Sequence, residues 1–346
     1  MATVEYINGP SEGETFTAST FLQYFRKSSA HWWGDNTIET QCPWVFRGHW
    51  DADWKLIPTA ARPSFEGVSE FKSIVESLRT ELEFDCKSWP NLNEIQQDII
   101  VRCYAHISVI MKFIDIAQDL SFNLPTTDMV RSSQTFSQYL DSKILDNEYS
   151  GRWLSSVSRN LLRKRGFTRL LPSFYKNSIV SLAQHHGVPT FMLDWSEDPL
   201  TACFFATTKP KRFTAENGLC VWALNRTSLP VRLSSLKHDA GIGHIQEIKP
   251  NKAQNQYLSR QSGVLTSIAG GDKFWIEHEV YPDLETVFTQ VNDGEFAEKT
   301  YLRKVTLPND ELANLKQLLL REGISKAHMM PTFDNIASTA MDSLIA

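Results

Sequence analysis

Between residues 66 and about 120, apolar side chains recur at three- and four-residue steps: Ile95, Ile99, Cys103, Ile107, Ile110 and Ile114 form one stripe. That period predicts amphipathic helices, parted at Pro90, where the backbone loses a donor. A shorter stripe through Phe21, Leu22, Tyr24 and Phe25 predicts a small helix near the start, and another is expected over residues 136–144. Elsewhere the apolar runs are short and bounded by turn residues, which predicts strands at 43–48, 190–193, 218–224, 263–266 and 300–307. A helix is expected over 310–322, stopped by Gly323, and a C-terminal helix after Met330. Strands scattered among helices without regular βαβ spacing give an α+β fold rather than a doubly wound sheet. The whole chain, 1–346, reads as one domain, with 66–145 as a helical insertion or lid.

The densest pattern lies at residues 184–206, QHHGVPTFMLDWSEDPLTACFFA. A helix is predicted to end in Gln184, His185 and His186, with Gly187 supplying the positive φ of a C-terminal stop. The strand at 190–193 then places Asp194 and Trp195 at its end, where binding groups collect on a rigid scaffold. Asp198 and Pro199 have N-cap and N1 chemistry, and the helix they start is apolar nearly all round, so it should be buried.

The composition narrows the classes. A 42% hydrophobic content supports a substantial core, and a net charge of −5 excludes a surface that is basic throughout. Five cysteines without CxxC spacing suit reduced thiols in a cytoplasm. The N-terminus has no basic, apolar leader, and no apolar run approaches a membrane span.

Local charge tells a different story from net charge. From residue 151 to 193 there is no Asp or Glu, while Arg159, Arg163, Lys164, Arg165 and Arg169 alternate with Trp153, Phe167, Phe174 and Tyr175. Over 151–176 this basic aromatic segment suits phosphates and stacked bases, RNA included; the alternative is a solvated helix face paired with acidic neighbours.

Arg47 and Gly48 end the first central strand, a cation beside a residue that lets a ligand's phosphate come close. Arg47 is either such a clamp or the structural ion-pair partner of Asp194. His185 is a candidate acid or base, or else bonds terminal helix carbonyls. Thr190 and Gln184 either touch a ligand or satisfy buried backbone. Adjacent histidines point to different helix faces and no carboxylate or thiol stands at ligand spacing, so no metal site is assigned.

The chain resembles the FRG domain family through Phe46-Arg47-Gly48, the Leu56 to Arg62 run LIPTAAR, Gln184-His185, Gly187, Pro189-Thr190, Leu193-Asp194-Trp195, Gln261, Gly263, Gly323-Ile324 and the segment 331–337. The helices at 66–145 and the basic segment after 150 fall outside that signature. Where the family commonly has an arginine after Pro-Thr, this chain has Phe191, which leaves more of any phosphate binding to Arg47. The motif layout is similar to that of ADP-ribosyltransferases. This implies a mixed or antiparallel sheet core, NAD as cofactor, and an oxocarbenium-like transition state steadied by a carboxylate.

On that resemblance Arg47, Asp194, Gln261 and His185 are the expected catalytic residues, with Glu247, Glu277 and Glu279 as alternatives at the third motif. Phe46, Arg47, Gly48, Trp50, Thr190 and Trp195 would bind the cofactor. The family's setting implies a toxin or effector in bacterial anti-phage defence or a toxin–antitoxin pair, with a cognate antitoxin. The alternative is a non-catalytic nucleotide-binding sensor or adaptor.

Overall fold

The computed structural model describes residues 4–33, 42–62, 69–86, 93–122, 124, 176–208, 217–226, 245–249, 261–268, 271–290 and 300–345. Among these residues seven strands form one sheet: β1 (Val4–Ile7), β2 (Trp44–His49), β3 (Leu193–Ser196), β4 (Leu219–Asn225), β5 (Ile245–Ile248), β6 (Gly263–Ile268) and β7 (Leu302–Leu307). Their spatial order is β1-β7-β4-β2-β3-β6-β5. Only β1–β7 is parallel, and every other neighbouring pair is antiparallel. The α+β class therefore stands, as a mostly antiparallel sheet with helices.

With the helices numbered in chain order, α1 (Ala18–Tyr24), α5 (Pro199–Thr207) and α8 (Leu312–Arg321) cover one face. They bury Phe21, Phe25, Trp32, Phe46, Cys203, Val221, Leu307 and Leu315 in one cluster. On the other face Val45, Trp195, Trp222, Leu224 and Val264 pack with Leu56 and with Leu284, Val287 and Phe288 of helix α7 (Leu284–Gln290). The alternation of β2 explains the split: Val45 turns to this second face, and Trp44 and Phe46 turn to the first.

Helices α2 (Ser69–Cys86) and α3 (Glu94–Asp119) pack on each other through Phe71, Val75, Leu78, Ile100, Val101 and Ala105. Ile99 of α3 joins Ala61, Trp275 and Tyr281, which ties the pair to helix α6 (Gly271–His278) and to the one-turn helix Thr59–Ala61. The predicted isoleucine stripe holds at Ile99 and Ile110 but not at Ile95, which is exposed at the helix start. The predicted helix at 136–144 and the basic segment 151–175 lie outside the described residues.

Around the central stretch the local chemistry acts as its residue types dictate. Helix α4 (Lys176–His185) ends before Gly187, whose φ is +89°. The Asp198 carboxylate caps α5 by accepting from the Thr201 N–H at 3.1 Å, with Pro199 at the first position. The strand itself is displaced: expected over 190–193, it runs Leu193–Ser196, so Asp194 and Trp195 lie within it and Thr190 precedes it. Two strands absent from the expectation, β1 and β5, are short edge strands at opposite sides of the sheet.

Candidate functional site

Strand β2 brings Arg47 beside β3, and there the ladder gives way to a side chain. The two strands share one registered pair, Phe46 with Ser196. Beyond it Arg47 Nη1 donates to the Asp194 main-chain oxygen at 2.8 Å and lies 2.7 Å from Asp194 Oδ1. The ion-pair alternative is thus realised. It is an asymmetric pair: the Arg47 side chain is 12% exposed, whereas that of Asp194 is 65% exposed.

Behind the guanidinium stands His49, two residues along the same strand and hence on the same face. Arg47 Nε donates to His49 Nε2 at 3.0 Å, which makes that nitrogen the acceptor. Nδ1 must then carry the proton, and it donates to the Trp54 carbonyl at 3.2 Å. Burial, followed by the charges of Arg47 and Arg62, pushes the His49 pKa well below 6.5, so the ring stays neutral.

In front of the pair stands an amide. Gln184 Nε2 donates to Asp194 Oδ1 at 3.1 Å, and the Thr190 hydroxyl donates to Gln184 Oε1 at 2.5 Å, which fixes which end of the amide faces the carboxylate. The Thr190 oxygen in turn accepts from the Met192 N–H at 3.3 Å. A continuous relay therefore runs from the Trp54 carbonyl through His49, Arg47, Asp194 and Gln184 to Thr190, and its open member is the Asp194 carboxylate. Burial by itself raises that carboxyl's pKa, but the charge and hydrogen bond of Arg47 outweigh it and hold the group ionised below its ordinary value. The Asp194 carboxylate thus combines two ordered protein partners with an outer side open to solvent.

His185 is half-buried and within electrostatic reach of Asp194. Burial and the adjacent His186 lower its pKa, against the opposite pull of Asp194, so it too is neutral at neutral pH. The two histidine rings lie 5.3 Å apart at 85° to each other.

Several expected contacts fall elsewhere. Phe46 and Gly48 turn to the helical face: Phe46 packs edge-on against Phe25 and Trp32, and a Cβ on residue 48 would run into the α5 backbone at Ala202 and Ala206. Gly48 therefore permits the approach of a helix, not of a phosphate. Trp195 is buried and spends its indole N–H on the Thr266 hydroxyl at 2.8 Å. Trp50 is buried edge-on against Trp54, with ring centroids 4.6 Å apart. Neither indole offers a free face to a nicotinamide or an adenine.

Thr190 is buried and acts through Gln184. The Gln261 carbonyl accepts from Ser196 Oγ at 2.7 Å, which sets it past the other end of β3 from Asp194. Of the alternatives at the third motif, Glu247 pairs with Arg226 at 2.5 Å, and Glu279 accepts from Asn93 at 2.6 Å. The Glu277 side chain lies outside the described residues, as do Arg159, Arg163, Lys164, Arg165 and Arg169. Phe191, where the family's arginine would stand, is built into a ring cluster with His106, Trp275 and Tyr281.

Three residues of the site were not picked out beforehand. His49 was legible as Arg-x-His, the two-residue period that puts both side chains on one strand face. Arg62 lies 5.0 Å over the Trp54 ring, and its charge acts on both His49 and Asp194. Trp54 supplies the carbonyl that ends the relay. Arg62 and Trp54 reach the site on the 49–62 segment, which reads in the sequence as an ordered loop closing over something, though neither of the two is assigned a role there.

Other chemistry is set aside on geometry. A pocket of about 260 Å³ opens at the other end of β3, lined by Lys27, Trp32, Trp33, Cys42, Glu197 and Arg226, with Phe46 and Pro199. Its charges are already spent, Lys27 on Asp198 at 3.4 Å and Arg226 on Glu197 at 2.8 Å. Burial pushes the Cys220 thiol up to about 12, which removes it as a nucleophile. No described helix is long and apolar enough to cross a membrane.

No curated protein and no solved structure matches the chain. One family model does, over residues 126–215, a span that carries Gln184, His185, Thr190, Asp194 and Trp195 and also the basic aromatic segment, which the signature motifs had left out, but not Phe46-Arg47-Gly48. The family so matched is the FRG domain.

Proposed function

We propose that the Asp194 centre binds NAD and transfers its ADP-ribosyl group to a macromolecule, RNA being one acceptor class. The single observation that carries this reading is the Asp194 carboxylate: ionised, braced by Arg47 and Gln184, and open on one side. Such a group suits a sugar carbon that becomes cationic. As the bond from ribose C1′ to nicotinamide breaks, the electron pair leaves with nicotinamide and positive charge grows beside the carboxylate. An acceptor oxygen or nitrogen then bonds to C1′ and sheds its proton, for which neutral His185 is the nearby base.

In this scheme Arg47 is not a free phosphate clamp. It is a positioning residue that keeps Asp194 charged, since Nε and Nη1 both bond within the fold. The charge of Arg62 reaches the same carboxylate and favours its ionised form. The internal use of Arg47 also favours a second reading, a nucleotide-binding sensor or adaptor without turnover.

NAD labelled in its adenine, incubated with the protein and with separated cell protein and RNA, distinguishes the two. Label passing into one fraction supports the transferase and names the acceptor class. No transfer, with NAD raising the melting temperature, supports the sensor. Neither effect would remove NAD from the account.

A further inference from the structure

The last helix, α10 (Phe333–Ile345), is turned the wrong way round for a helix that only covers a core. Its polar side faces the protein: the Asn335 amide donates to the Met330 carbonyl at 2.8 Å, and the Thr339 hydroxyl accepts from the Ala327 N–H of helix α9 (Lys326–Met329) at 3.2 Å. Its apolar side faces outward. Phe333 is 90% exposed, Ile336 50%, Met341 61% and Leu344 89%, and Ala337 and Ala340 between them are exposed as well. Among the described residues nothing covers this stripe. An amphipathic helix ordinarily buries that side, because each large apolar side chain left in water forgoes the stabilisation of burial.

The order of residues along the stripe identifies what fits it. Phe333, Ala337, Ala340 and Leu344 follow a four-three-four spacing, the seam of a two-helix packing. The seam is also palindromic. Laid antiparallel on a second copy of itself, it sets Phe333 against Leu344 at each end and Ala337 against Ala340 at the centre, so large residues meet at the rims and small ones let the backbones approach. Ile336 and Met341 close the flanks. The helix's two carboxylates do not oppose one another: the two Asp334 groups fall at opposite ends, and Asp342 lies on the side away from the seam.

The four large side chains expose roughly 500 Å² per chain, or roughly 1,000 Å² over a symmetric pair, which is where specific interfaces begin. We propose that this chain forms a two-fold dimer through antiparallel pairing of α10.

The test uses the full chain, with mass followed by sedimentation as concentration is varied. The wild type is expected at twice the chain mass. Phe333→Lys and Leu344→Glu, each at a site already in water, should separate it into monomers with unchanged circular dichroism and melting of the fold. The double variant Phe333→Lys/Leu344→Glu should recover the dimer, because the antiparallel register sets each lysine against a glutamate of the other copy. A wild type that stays monomeric at high concentration, and so keeps the stripe for a different partner, overturns the proposal. So does a dimer that neither single variant weakens, or a double variant that stays monomeric.

Discussion

The two ends of β3 use the same pair of groups to opposite effect. At one end Arg47 meets Asp194; at the other Arg226 meets Glu197 at 2.8 Å and Glu247 at 2.5 Å. Both arginine side chains are 12% exposed, so both have left water to a similar extent. The carboxylates differ. Glu197 and Glu247 are 35% and 21% exposed and share one cation, which joins the end of β4 to β5 and to the turn after β3. Asp194, at 65%, keeps an outer side, and Arg47 is its ion-pair partner among the described residues. A buried arginine is thus no sign of function by itself; the accessible surface its partner retains is what separates a clamp from a site.

Substitutions should pull that comparison apart, and the largest effect is expected at Gly48→Ala. The added Cβ meets main chain in α5, which cannot rotate aside, so a loss upward of about 3 kcal/mol in urea unfolding is predicted. Arg47→Ala comes next, at about 1–3 kcal/mol, because it leaves the buried His49 acceptor and the Asp194 main-chain oxygen without their donor, while the largely exposed Asp194 carboxylate can turn to water. Arg226→Ala should cost less than Arg47→Ala, since Lys249 remains 3.6 Å from Glu247, whereas Arg47 is the donor to the buried His49 nitrogen. Equal losses at the two arginines would erase the distinction between the ends.

The pH dependence sharpens the same point. His49 is held neutral in the fold but protonates at about 6.5 once unfolded, so its share of stability is whole above 6.5 and declines as pH falls below it, by up to about 1.4 kcal/mol per pH unit. Asp194 adds in the same direction at lower pH, its contribution being lost as pH falls through the depressed value of its carboxyl. Urea titrations of His49→Gln should show a shallower decline between pH 6.5 and 5 than the wild type. A parallel decline would remove His49 from the relay. The smallest change is predicted for Thr190→Val, about 1 kcal/mol, with Gln184 no longer held toward Asp194.

How far the sequence carried can be read from particular residues. Strand β2 and helix α5 followed from local chemistry: an apolar run ending in Arg-Gly, and an Asp-Pro start to an apolar helix. Strand β1 did not, because four residues in a polar, turn-rich opening become a strand only by pairing with β7, far along the chain. Gly48 was legible as a residue needed for close approach, but what approaches is a tertiary fact. Trp50 and Trp195 had the right chemistry for stacking, yet an aromatic ring serves a core equally well, and burial decided. The Arg47–Asp194 pair was foreseen as one of two alternatives; its asymmetry of exposure was not, since no pattern along a chain encodes which partner meets water.

Release of nicotinamide from NAD by the wild type and by Asp194→Asn, at matched melting temperatures, tests the central claim most directly. Asparagine keeps the shape and the main-chain bond to Arg47 and removes only the charge. The account predicts turnover by the wild type and a loss of about 100-fold or more in the variant. Equal rates in the two proteins, or no release by the wild type under any condition, would contradict it.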